Sequence, residues 1–200
     1  GVIHALEGKF DLALKAYDLA LQLQPNYVEA LINKSAIHNE TKDFNQAIKV
    51  ADHIIKLNEN CFEAYSNRAN ALYGLQRYRD AIENYDKALS LRPDYVEAWS
   101  NKGIALNELK RFDEAIAHYD KALSLKPDYA EAWLNKGVAL KELNRYDEAI
   151  THYDKALSLK SDYAEAWLSK GVALKELNRY DEAITHYDKA LSLKPDYAEG

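Results

Sequence analysis

Three histidines, His118, His152 and His186, recur at an interval of 34 residues, a pattern that invites a metal-binding reading. The interval itself argues against a metal. Equivalent positions in stacked helical units lie about 8–10 Å apart, whereas zinc ligands converge to about 2.0–2.1 Å of one ion. The cysteine or carboxylate company such a site requires is also missing, so the row is expected on an exposed helix face. His4 and His38 fall where other units carry Leu106, Leu140 and Leu174, and are expected half-buried in structural roles. No Ser/His/Asp grouping, glycine-rich phosphate loop or Cys-x-x-Cys stands out. These residues predict no catalysis, no cofactor and no metal.

A second row carries amides: Asn33, Asn67, Asn101 and Asn135 share the same interval, with Ser169 next in line. An asparagine side chain offers an acceptor and donors, which matches a peptide unit, so a spaced row can hold an extended chain through its backbone. Asparagine is intrinsically poor inside a helix, and four in register favour a binding use over mere solvation. Residues spaced by three or four share a helix face. That spacing puts Asn70, Glu97, Glu131 and Glu165 on the same stripe as the amides, although the glutamates also suit a helix-capping role.

The elements that must position these rows follow from the repetition. Counting back by 34 from Tyr197 gives Tyr163, Tyr129, Tyr95, Cys61 and Tyr27. The unit 130–163 differs from 164–197 only at Asn135/Ser169 and Ser161/Pro195, and divergence grows toward the N-terminus. A unit of this length holds two short antiparallel helices, too few to enclose a core, so neighbours must stack. The expected fold is an all-α solenoid in one array: a partial unit over 1–27, full units over 28–61, 62–95, 96–129, 130–163 and 164–197, and a start of another at 198–200.

Within each unit, Asn26/Glu29, Asn60/Glu63, Asp94/Glu97, Asp128/Glu131, Asp162/Glu165 and Asp196/Glu199 have capping-box spacing and predict the first helix start. Asn144, Asn178 and Gly8 are expected to close it in the left-handed conformation. The second helix is expected from Asp113, Asp147 or Asp181, with apolar residues at helical spacing and Arg92 or Lys126 near its negative end. Numbering each unit from the residue after its junction Tyr or Cys, Trp133, Gly137, Leu140, Ala149, Tyr153 and Ala156 hold positions 4, 8, 11, 20, 24 and 27, and Pro127 and Pro195 position 32. These residues resemble the tetratricopeptide repeat along the whole chain.

The resemblance implies a right-handed superhelix whose first helices line a concave groove, and a protein-interaction scaffold that binds an extended peptide there. The amide row is similar to the asparagine ladder in the repeat domain of O-linked N-acetylglucosamine transferases, which implies, as the alternative, a substrate-recruiting arm of a larger enzyme. The segment YSNRANA, Tyr65 to Ala71, resembles the middle of carboxylate-clamp domains that hold acidic chaperone tails. Its cations are absent: Glu97 and Asn101 stand where the clamp needs Lys and Arg, and Ile32 where it needs Lys. An acidic tail would meet repulsion, so the expected ligand is a neutral or basic extended segment.

Composition excludes other classes. Hydrophobic content of 48% and charged content of 29% suit a soluble chain, and no stretch approaches the roughly 20 apolar residues of a membrane span. The net charge of −6, with Lys and Arg interspersed among acids, predicts no nucleic-acid partner. The single cysteine, Cys61, fits a reducing compartment and a cytoplasmic setting. The chain starts at position 8 of a unit and lacks methionine, which predicts a piece of a longer protein whose uncapped ends associate head to tail.

Overall fold

The computed structural model describes residues 1–195; the Asp196/Glu199 pair, Tyr197 and residues 198–200 lie outside it. Twelve helices and no strand occur among the described residues: α1 (Val2–Leu6), α2 (Phe10–Leu23), α3 (Val28–Glu40), α4 (Phe44–Leu57), α5 (Phe62–Gly74), α6 (Tyr78–Leu91), α7 (Val96–Glu108), α8 (Phe112–Leu125), α9 (Ala130–Glu142), α10 (Tyr146–Leu159), α11 (Ala164–Glu176) and α12 (Tyr180–Leu193). The chain divides into two compact units, Gly1–Ala105 and Leu106–Gly200. In the first, α3 pairs with α4, α4 with α5 and α5 with α6, and α3 also touches α5 directly. In the second, α8 to α12 pair successively where described, and α9 touches α11. Each unit is thus stacked helix pairs in which first helices are neighbours.

The pairs α9/α10 and α11/α12 close on one size match. A Cβ on Gly137 of α9 would lie 2.5 Å from Cε1 of Tyr153 on α10, and one on Gly171 of α11 would lie 2.6 Å from Cε1 of Tyr187 on α12. Glycine at position 8 therefore lets the ring at position 24 lie directly against the first helix. Tyr153, Ala149 and Ala156 are fully buried, and Trp133, Leu140, Leu157 and Leu174 complete that core. The pair α3/α4 reaches the same closure with other sizes. Ser35 replaces the glycine, Ala51 the tyrosine and Ile54 the alanine, and all three are fully buried. Ser35 meets its burial by donating to the carbonyl of Ala47 at 3.0 Å.

The left-handed closures form as expected at Asn144 (φ 59), Asn178 (φ 61) and Gly8 (φ 70), and Lys42, Gln76 and Lys110 adopt the same conformation without glycine or asparagine. At the first helices whose N-caps are described, α3, α5, α9 and α11, the capping boxes do not form. The N-caps are Tyr27, Cys61, Tyr129 and Tyr163, one residue later than expected, and none makes a side-chain capping bond. The Asn or Asp sits in the preceding turn, one residue too early to reach the helix amides. The glutamates serve the junction instead: Glu29 accepts from the Tyr27 hydroxyl at 2.9 Å and Glu63 from the Cys61 thiol at 3.4 Å.

Second helices begin at Phe112, Tyr146 and Tyr180, one residue before the expected Asp. Their N-cap arginines bind the glutamate three residues on through two nitrogens: Arg145 Nε and Nη2 each lie 2.7 Å from Glu148. A further ladder links each first helix to the helix before it. Lys34–Asp18 and Lys102–Asp86 in the first unit are 2.5 Å apart, and Lys136–Asp120 and Lys170–Asp154 in the second are 2.6 Å apart. The aspartates are about half exposed and the lysines largely covered, so solvent screens each pair only in part.

The Tyr153 hydroxyl is buried without a hydrogen-bond partner among the described residues. Tyr153→Phe is therefore expected to melt at or above the parent temperature, because it removes an unpaired buried group. Tyr153→Ala is expected to cost about 3–5 kcal/mol in chemical denaturation, from the cavity it opens.

Candidate functional site

In the first unit, the neighbouring first helices enclose an open cavity of about 360 Å³. Three amides reach it, Asn39 from α3, Asn70 from α5 and Asn101 from α7. Phe44, Tyr73, Tyr85 and Ile104 supply apolar wall, and Glu40 and Lys42 stand with them at the lining. The amides are locked. Asn70 Oδ1 accepts from the Tyr85 hydroxyl at 2.6 Å and from Asn101 Nδ2 at 3.2 Å. Asn39 Nδ2 donates to the carbonyl of Asn67 at 2.8 Å. Tyr85 is 1% exposed, and burial pushes its phenol far above the ordinary value, so it stays a neutral donor.

Of the residues singled out from the sequence, Asn70 and Asn101 meet in this cavity. Asn67 lies beside it with its amide spent on the carbonyl of Ile32 at 3.1 Å, bridging α5 to α3. Asn33 is half-buried on α3 and makes no side-chain hydrogen bond among the described residues. Glu97 stands exposed in the first turn of α7, outside the cavity lining. In the second unit Asn135 is half-buried on α9, Glu131 is exposed, and Glu165 lies 3.2 Å from Lys194.

Sequence reasoning missed Asn39, Phe44, Tyr73, Tyr85 and Ile104 as site residues. The signal was present in two departures from the repeat. Position 13 is Glu in Glu40, Glu108, Glu142 and Glu176 but glycine at Gly74, and a Cβ there would collide with the Phe44 ring. Position 9 is Ala36, Ile104, Val138 or Val172 elsewhere but an amide at Asn70.

The histidine row is half-buried, which corrects the exposed face expected for it. The reason is the neighbouring tryptophan: the His152 ring stacks on Trp133 with centroids 5.3 Å apart and planes at 19°, and His186 lies 5.3 Å from Trp167. Among the described residues no group of three or more His, Cys, Asp or Glu is placed to hold a metal. His38 is half-buried as expected, 3.7 Å from Asp43. Cys61 is buried, and burial pushes its thiol up. Among the described residues no helix is long and apolar enough to cross a membrane.

Stacked antiparallel pairs with glycine or a small residue set against tyrosine define a helical-repeat scaffold. Two sequence profiles of the tetratricopeptide repeat match, one over residues 66–130, 111–164 and 134–198 and the other over residues 4–70. The chain belongs to the tetratricopeptide-repeat family. Among solved structures it is similar to the crystal structure of MamA, at 26% identity and a TM-score of 0.73, covering 83% of this chain and 97% of that one. It is also similar to MamA from residue 41 to its end of Desulfovibrio magneticus RS-1, at 21% identity and a TM-score of 0.75, covering 84% and 96%. A third is YrrB, described as a tetratricopeptide-repeat protein with an unusual peptide-binding site, at 20% identity and a TM-score of 0.71, covering 92% and 95%. The last two likenesses speak for the fold. No curated protein sequence matches significantly. Proteins of this family are generally non-catalytic, and a protein-interaction scaffold is the class that the fold defines.

Burial holds His152 below its ordinary pKa of 6.5, with Lys136 adding to that against Asp120 and Glu148. Burial lowers His38 in the same way, against Asp43. A base depressed in the folded state binds fewer protons there than when unfolded, so stability is lost as pH falls through 6.5 toward the folded pKa. Melting temperature is expected to drop between about pH 7 and about pH 5.5, and His152→Gln to flatten part of that slope. A parent protein with no slope in that window would contradict the assignment.

Proposed function

We propose that the face made by the first helices binds an extended segment of a partner protein, with amides at positions 6 and 9 meeting the partner's main chain. One observation carries this reading. Asn70 and Asn101 converge on an open cavity on that face, and their mutual bond leaves the Asn70 N–H groups and Asn101 Oδ1 without a partner among the described residues. A donor and an acceptor side by side complement a peptide unit.

The expected segment is neutral or basic. Glu97 and Glu131 stand exposed at the start of their first helices, and no Lys or Arg occupies position 2 in any unit. An acidic segment would therefore meet like charge with no compensating cation at that position. The peptide-binding site in the description of YrrB lends support from a protein of similar fold. Because Asn67 bridges α5 to α3, its removal would disturb packing as well as binding, and the test is better placed on Asn101 and Asn135.

In fluorescence anisotropy at low salt, labelled Gly/Ser/Lys peptides are expected to bind about tenfold tighter than Gly/Ser/Asp peptides of equal length, a difference of about 1.4 kcal/mol. Asn101→Ala with Asn135→Ala is expected to weaken the former about tenfold with helicity unchanged. Tighter binding of the acidic peptides would overturn the charge preference, and unchanged binding by the double variant would overturn the role of the amides.

A further inference from the structure

We propose that the cavity of the first unit is an anchoring pocket for one tyrosine side chain of the partner. The proposal rests on the groove reading for its face and refines it at one place, where Asn70 and Asn101 take a side chain of the partner instead of its main chain. At about 360 Å³ the cavity sits at the small end of ligand pockets, the size for a single large side chain and not for a folded element. Phe44, Tyr73, Tyr85 and Ile104 give it an aromatic and aliphatic wall, which a planar ring covers well through edge and face contacts.

The polar groups then choose among ring-bearing side chains. Asn70 is held by two donors on its oxygen, the Tyr85 hydroxyl and Asn101 Nδ2, which leaves its N–H groups as donors and Asn101 Oδ1 as an acceptor with no partner among the described residues. A phenol both donates and accepts, so it satisfies the two together; phenylalanine satisfies neither, and an indole N–H only the acceptor. Glu40 and Lys42 are of opposite sign and the amide and aromatic lining is neutral. A charged side chain placed there would give up hydration that one exposed counter-charge, Glu40 or Lys42, only partly replaces. Because Tyr85, Asn70 and Asn101 are tied together in advance, little ordering is left for the bound state.

The corresponding place in the second unit is different. A cavity of about 190 Å³ there is lined by Lys141, Glu142, Asn144, Tyr146, Val172 and Glu176, with Lys141 paired to Glu142 at 2.8 Å. It is smaller and ionic. Gly74 accounts for part of the contrast, since only the absence of a side chain lets Phe44 lie against the last turn of α5. One tyrosine pocket in the first unit would set the register in which a partner segment lies.

The test uses N-acetyltyrosinamide, N-acetylphenylalaninamide and N-acetyllysinamide as probes, followed in proton–nitrogen correlation spectra of the full chain. The tyrosine amide is expected to shift the side-chain amide signals of Asn70 and Asn101 and to bind about tenfold tighter than the phenylalanine amide. The lysine amide is expected to leave these signals unshifted, Asn70→Leu to erase the tyrosine preference, and Ile104→Trp to block both aromatic amides by filling the cavity while Gly/Ser/Lys peptides still bind. Equal affinity for the tyrosine and phenylalanine amides, or shifts confined to other residues, would overturn the pocket. Peptide binding without tyrosinamide binding would defeat the pocket and leave the groove reading standing; tyrosinamide binding without peptide binding would uphold the pocket and defeat the groove reading.

Discussion

The contact on which the rest depends is the one between position 8 of a first helix and position 24 of its partner. Where glycine faces tyrosine, as at Gly137 and Tyr153, the ring lies where a Cβ would be, and this contact fixes how closely the two helices approach. Close-packed interiors transmit such a constraint, because neither side has room to yield. The α3/α4 pair shows that volume is what matters, not residue type: serine, alanine and isoleucine at Ser35, Ala51 and Ile54 fill the same space with the bulk moved along the helix.

With hairpin geometry set, first helices become neighbours within each unit and their remaining faces open together. Some polar groups on those faces then turn inward. Asn67 and Asn39 bridge α5 and α3 through main-chain carbonyls, and Lys34, Lys102, Lys136 and Lys170 reach back to the preceding helix. Asn70 and Asn101 bind each other and keep bonding capacity toward the cavity. The amide row is therefore divided: Asn67 fastens the scaffold, and Asn101 faces the cavity, where we propose that a partner segment binds.

The 34-residue period, the all-helical pairing, the left-handed turns at Asn144 and Asn178 and the packing roles of Gly137 and Tyr153 were legible in the sequence because each depends on position within one repeat. The capping boxes misled because spacing cannot tell whether Asn26 lies at the helix boundary or one residue before it, and that single residue decides whether a side chain reaches the amides. The histidine row misled because the Trp133 ring that covers His152 comes from the other helix of the pair. The cavity was illegible for a related reason. Its residues come from α3, α4, α5, α6 and α7, and its character arises where individual repeats break the pattern, at Asn70 and Gly74, which a consensus reading averages away.

The most direct measurement is a transplant of one packing solution into another repeat. Gly137→Ser, Tyr153→Ala and Ala156→Ile together give the 130–163 unit the residues of Ser35, Ala51 and Ile54, and chemical denaturation of the triple variant is compared with each single change. If volume matching at this contact governs the fold, the triple variant recovers most of the stability that Tyr153→Ala loses, with a coupling of about 0.5–3 kcal/mol. Losses that simply add would contradict it.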